Sequence, residues 1–229
     1  MDHRGKPPRR AAESERSLPA GTVPVMEIDL VPPSEPLDWA RGGWLYPPVR
    51  AEEGPAGELV VEPAAESDLW RRTSYGFVHD NGPALLAPLP VGSAMEVSFR
   101  LDLTGQFDQA GALVRVDERT WTKAGVEVSD GELQLGAVVT REFSDWSVAP
   151  VPEWAGREVT VRVSRAGDAL TVRARVDDEP WRLVRLAPLD PAAEAMAGPF
   201  CCAPVRAGLT VVFTGWRQGP ADTALHPEH

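Results

Sequence analysis

QAGALVRVD (residues 109–117), WTKAGVEVS (residues 121–129) and, after Asp130-Gly131, ELQLGAVVT (residues 132–140) are the runs that decide the fold of this chain. Side chains alternate between the two faces of a strand, so each run has two sides to compare. The first places Ala110, Ala112, Val114 and Val116 on one side and Gln109, Gly111, Leu113, Arg115 and Asp117 on the other. The second opposes Thr122, Ala124, Val126 and Val128 to Trp121, Lys123, Gly125, Glu127 and Ser129. Asp130-Gly131 suits a two-residue type I′ turn, whose central residues both need positive φ. That turn fixes a register of Val128 opposite Leu133, Val126 opposite Leu135 and Ala124 opposite Ala137, so the small apolar side agrees with itself across the hairpin. The same register pairs Glu127 with Gln134, Gly125 with Gly136, Lys123 with Val138 and Trp121 with Thr140. The apolar side is therefore the expected core, and the other side the expected binding face.

Outward from these strands, short β-rich runs alternate with Gly, Pro and Asp turns, and hardly any segment keeps a helical period. The runs are Trp44–Glu52, Glu58–Glu62, Ser74–Val78, Ala94–Leu103, Val159–Arg165, Leu170–Val176, Trp181–Leu186 and Leu209–Arg217. Many short strands at this spacing predict an all-β, two-sheet antiparallel jelly-roll sandwich. A second hairpin sets Val159, Val161 and Val163 against Leu170, Val172, Ala174 and Val176 around Gly167-Asp168. Its other side carries Arg162, Arg173 and Arg175, expected to be solvated. Residues 1–22 mix Pro, Arg, Ser and Glu with few large apolar side chains, a composition expected to stay disordered. Val23–Val31 could add an edge strand or an arm, stopped by Pro32, Pro33 and Pro36. The expected division is thus an extension over 1–22, a sandwich over 23–219 and a tail over 220–229.

With 229 residues and 43% hydrophobic content, the chain can bury one full core. Its net charge of −11 argues against nucleic acid and anionic membranes as partners. The two cysteines, Cys201 and Cys202, are adjacent and suit buried thiols in a reducing compartment. No apolar signal segment or membrane-length run is present, so a cytoplasmic protein is expected.

DLWRRTSYGFVHDNG (residues 68–82), FDQAGALVRVDERTWTKAGVEVSDG (107–131), VVTREFSDWSV (138–148), RAGDALTVRARVDDEPWRLVRLAPL (165–189) and AGPFCCAP (197–204) together resemble the regulation-of-enolase protein family. The resemblance covers most of residues 40–218. It departs where FDQAG stands in place of a tyrosine before the Asp, and where VDDEPW replaces an Asp-Gly turn. It implies a concanavalin A-like lectin/glucanase fold, a jelly roll with a concave face on which related folds bind or cut carbohydrate.

A sugar site needs aromatic platforms for ring faces and fixed polar groups for hydroxyls. Trp121 with Gln109, Lys123, Glu127 and Gln134 supplies both above a floor of Gly125 and Gly136. Trp70, Tyr75, Asp145 and Trp146 lie where loops could close over the same groove, and Arg115 ends the neighbouring strand. The usual glycosidases need two carboxyls about 5–9.5 Å apart. Glu127 has Gly125 and Ser129 two places away, at roughly 6.6 Å along the strand, so a hydrolase would have to borrow Asp117 or Asp145. A lyase could draw on Arg115, Lys123, His79 and Tyr75. Lys123 and Glu127 lie about 13 Å apart along one strand, each free to meet a group from elsewhere. No zinc spacing, no G-x-S-x-G and no cofactor motif is present, and His79-Asp80-Asn81-Gly82 suits a turn. The sequence therefore points to a non-catalytic carbohydrate or small-metabolite binding protein. A protein-interaction module and a carbohydrate-active enzyme are the alternatives.

Overall fold

The computed structural model describes residues 30–226. The extension expected over 1–22, nearly all of the arm expected over Val23–Val31, and residues 227–229 lie outside the described residues. In chain order the strands are β1 Glu35–Pro36, β2 Gly43–Trp44, β3 Arg50–Glu53, β4 Leu59–Glu62, β5 Leu69–Arg71, β6 Val78–Asp80, β7 Leu85–Pro88 and β8 Ser93–Arg100. They continue as β9 Gln109–Arg115, β10 Thr120–Ser129, β11 Glu132–Arg141, β12 Phe143–Pro150, β13 Glu158–Ala166, β14 Ala169–Val176, β15 Arg182–Pro188, β16 Met196–Cys202 and β17 Val211–Pro220. No described helix is long and apolar enough to cross a membrane.

The paired strands form two antiparallel sheets packed as a sandwich, the jelly-roll architecture that the alternation predicts. One has the order β15-β14-β13-β8-β17-β4-β3, with β1 also on β17; the other runs β12-β11-β10-β9-β16-β7-β2. The predicted hairpin register holds at every position from Thr120↔Arg141 to Ser129↔Glu132. Its turn has φ +54° at Asp130 and +82° at Gly131, as a type I′ turn demands. Core packing follows the alternation too. Ala110, Ala112, Val114, Ala124, Val126, Val128, Leu135 and Ala137 meet Met95, Val97, Phe99, Val161, Val163 and Val172 of the facing sheet. Small residues on one sheet opposite larger ones on the other let the layers interlock at interior density.

The outer faces depart from expectation. Arg162 and Arg173, expected to be solvated, are 0% and 5% exposed. Arg162 donates to Glu96 at 2.6 Å and to Asp222 at 2.8 Å, and Arg173 reaches the other Asp222 oxygen at 2.8 Å. The correction has a plain cause: the chain after Gly219, expected to be a tail, lies across this sheet, with Asp222 only 5% exposed in its side chain. Arg175 is half-buried over the Trp181 ring. Ser74–Val78, expected as a strand, is mostly a loop with φ +65° at Ser74, and pairing begins only at Val78.

On the other sheet a separate ribbon, β5 paired with β6, covers part of the outer face. It buries a smaller core of Leu69, Trp70, Leu86, Leu113, Trp121, Val138, Phe200 and Cys202. Bidentate bonds from Arg115 to Asp80, 2.7 and 2.8 Å, anchor one arm. The Arg71 backbone N–H donating to Ser144 Oγ at 3.0 Å anchors the other.

Candidate functional site

The ribbon stops short of covering the whole outer face, and a pocket of about 350 Å³ opens beside it. Its floor comes from the alternating strands. Gln109 on β9 and Lys123 and Glu127 on β10 all project outward, as the pattern requires, and all three line the pocket. Asp68, just before β5, completes the floor. Lys123 Nζ donates to Gln109 Oε1 at 2.7 Å and to Asp68 Oδ1 at 3.2 Å, while Gln109 Nε2 donates back to Asp68 at 3.4 Å. The same Asp68 oxygen accepts the Leu69 N–H at 2.7 Å, and Asn81 Oδ1 holds the Asp68 N–H. His79-Asp80-Asn81-Gly82, expected as a simple turn, thus ends β6 and clamps the base of the ribbon.

Lys123 is 4% exposed. Burial, the largest single influence, pushes its pKa down, but Asp68, Cys202 and Glu127 together outweigh it, so the pKa lies above the ordinary lysine value and the ammonium persists. Burial raises the Glu127 pKa, Lys123 pulls it back, Asp68 adds to the rise, and the result lies above the usual carboxylate range. Among the described residues no hydrogen bond reaches the Glu127 carboxyl. The floor therefore holds one neutralised ion pair and one carboxyl with no hydrogen-bond partner among the described residues.

Aromatic rings make the walls. Trp70 stands nearly perpendicular to Trp146, with centroids 6.4 Å apart, and edge-on to Tyr75 at 5.7 Å. Tyr75 stacks on Phe77 at 5.3 Å, and Phe77 meets His79 at 4.6 Å and 88°. Phe107, Val138, Pro204 and Val205 close the remaining sides, with Glu66 at the rim. Glu66 and Phe107 have φ near +60°, as do Arg72 and Ser74 in the loop that presents Tyr75. Non-glycine residues in that region store strain, and such strain gathers at functional sites.

Six of the expected site residues, Trp70, Tyr75, Gln109, Lys123, Glu127 and Trp146, come together here. Others go elsewhere. Trp121 is 3% exposed inside the smaller core, because the ribbon covers its end of the strand. Arg115 is committed to Asp80. Asp145 pairs with Arg185 at 2.8 Å on the sheet edge, and Gln134 lies outside the pocket lining, between Glu127 and Pro150 in the register. Gly125 and Gly136 border a small hollow beside the floor, but ligand space does not explain them. A Cβ at Gly125 would overlap the Ala110 carbonyl oxygen, and one at Gly136 the Ser147 carbonyl oxygen. Close backbone approach of neighbouring strands requires these glycines.

Sequence reasoning missed Asp68, Phe77, Phe107 and the Pro204-Val205 loop as lining residues and named His79 only for a lyase. Tyr75, Phe77 and His79 carry a signal, an aromatic at every second position. Asp68 carries none, since its partner Lys123 lies 55 residues away.

Comparison with known proteins places this architecture. The family described as "Protein of unknown function (DUF1349)" matches residues 44–221. Regulation of enolase protein 1 of Saccharomyces cerevisiae is 37% identical over 196 residues, spanning 84% of this chain and 97% of that protein. Among solved structures, a functionally unknown protein from S. cerevisiae superposes with a TM-score of 0.75 at 34% identity, covering 80% of this chain and 98% of its own. The xylan beta-1,4-xylosidase of Bacillus halodurans C-125 gives a TM-score of 0.61 at 15% identity. It covers 82% of this chain and 39% of the enzyme, a likeness of fold alone.

Proposed function

This chain belongs to the DUF1349 family, and we propose that it is a non-catalytic binding protein that takes a carbohydrate-like small metabolite into the pocket beside the β5–β6 ribbon. One observation carries this reading: ring walls from Trp70, Tyr75, Phe77 and Trp146 converge on a polar floor of Gln109, Lys123, Asp68 and Glu127. Apolar sugar faces stack on such rings, and a few fixed donors and acceptors then orient the hydroxyls. The volume of about 350 Å³ suits a ligand at the small end of the ~300–1,000 Å³ range of such pockets. Hydrolysis is less well supported, because Asp68 is already ion-paired with Lys123, its Oδ1 also accepting from Gln109 and the Leu69 N–H. Glu127 is left without a free second carboxyl on the floor. Kinship with Regulation of enolase protein 1 supports a regulatory role, with occupancy of the pocket as its input.

The rim favours a second reading, an interaction module into which a protein partner inserts a side chain. Tyr75 is 59% exposed and Val205 63%, a large apolar presentation for a solvent-facing mouth. A thermal-shift screen against sugars, sugar phosphates and uronic acids separates the two. A ligand at about 100 times its Kd adds roughly 2.7 kcal/mol, and Trp146→Ala should abolish that shift. A screen without a hit, together with a stoichiometric protein complex broken by Tyr75→Ala, would select the second reading.

A further inference from the structure

From the charge and ring geometry of this pocket, we infer that its ligand carries an ammonium group, as an amino sugar or a methylated amine does, and that Glu127 receives it. The inference rests on the pocket reading above and narrows it to one ligand class. Among the described residues Lys123 is the only lysine or arginine lining the pocket, against the carboxyls of Glu66, Asp68 and Glu127. That lysine is already bonded to Asp68 and Gln109, so it has little left to offer an anion. With Asp68 set against Lys123, the uncompensated groups are Glu127 on the floor and Glu66 at the rim. Two carboxyls and a neutralised lysine would repel an anionic ligand and attract a cationic one.

The walls agree with the floor. Ring faces carry negative electrostatic potential and attract cations within about 6 Å of the centroid, most strongly where water is excluded. Trp70 and Trp146 meet at 88° and Tyr75 adds a third wall, the corner arrangement that surrounds a rounded cation on several sides. Trp70 is 9% exposed, so its share of the corner is well shielded from water. A carboxyl in the same pocket supplies the full counter-charge that the rings supply only in part. The Glu127 carboxyl lines that pocket and accepts no hydrogen bond from the described residues.

Choline and dimethylbutanol, in which a carbon atom replaces the nitrogen, have the same shape and differ by one charge. We would titrate each into the full ¹⁵N-labelled chain and follow the indole N–H signals of Trp70 and Trp146 by NMR. The expected result is a Kd for choline at least tenfold below that of the alcohol, with Glu127→Gln erasing most of the difference. Glutamine keeps the shape of glutamate, and a full amide spectrum confirms the fold of the variant. Equal affinities, or a preference for choline that survives Glu127→Gln, would overturn the inference. If neither probe moves the indole signals while a neutral sugar from the screen does, the ammonium assignment falls and the pocket reading stands. If neither probes nor sugars bind, both fall.

Discussion

Each sheet buries charges on its outer face, and the two clusters end differently. On the β13–β14 side, Arg162 and Arg173 share Asp222, Arg162 also holds Glu96, and Ser34 bridges Arg162 and Glu96. Two guanidinium groups meet two carboxylates, and backbone carbonyls of Pro220 and Leu225 take further donors. On the β9–β10 side, Lys123, Gln109 and Asp68 form a closed triangle, and Glu127 stands beside it without a bond. A network in which both carboxylates are bonded fixes Ser34 and residues 220–225 onto the sheet. An unsaturated one beside a cavity keeps binding capacity. Burial of charge alone does not distinguish the two; counting unused donors and acceptors does.

The contrast can be broken at its strongest point by Gly125→Leu. If the floor under Glu127 is framework, this variant should fail to fold, since its side chain starts inside the Ala110 backbone. Circular dichroism of a folded Gly125→Leu protein would show instead that the floor has room to spare. Next in size, Asp222→Ala leaves Arg173 without a carboxylate and Arg162 with one fewer. Breaking a buried pair in this way costs about 3–5 kcal/mol, measurable by urea unfolding. A loss near 0.5 kcal/mol would place Asp222 among ordinary surface acids.

Lys123→Met should cost somewhat less, roughly 2–4 kcal/mol, because Asp68 keeps the Leu69 N–H and the Gln109 amide. If the cost matched an exposed lysine, the triangle would not be the unit described here. The smallest effect belongs to Glu127→Gln. Burial holds the Glu127 pKa above the ordinary 4.5, so its protonated form suits the folded state. Its contribution to stability is full below pH 4.5 and fades as the pH rises through the folded value. The variant should therefore match the parent in acid and be slightly more stable at neutral pH, as thermal melts across that range would record. A destabilised Glu127→Gln would mean that the carboxylate has a structural partner, and the two clusters would then be alike.

Within the candidate site, legibility followed distance along the chain. Gln109, Lys123 and Glu127 were readable because alternation put them on one side of two adjoining strands. Trp121 shares that side, yet nothing in its neighbourhood told that Leu69, Leu86 and Phe200 cover it. Arg115 and Asp145 were expected at the site, but Asp80 and Arg185, 35 and 40 residues away, take them into ion pairs outside the pocket lining. Tyr75, Phe77 and His79 were half-legible, as an alternating aromatic run assigned to the wrong local structure.

The sequence by itself determined the central strands β9, β10, β11, β13 and β14, the hairpin register from Thr120 to Arg141 and the face of each residue in them. These follow from a two-residue period and from the positive φ that Asp130-Gly131 supplies, both properties of a few neighbouring residues. The tertiary structure decided what covers each outer face. Alternation gives a polar outward position the same pattern whether water, a ribbon or the chain end lies above it. Asp68 closes over Lys123 from 55 residues away and Asp222 over Arg162 from 60. Those long-range closures made one outer face a sealed clasp and left the other with an open pocket.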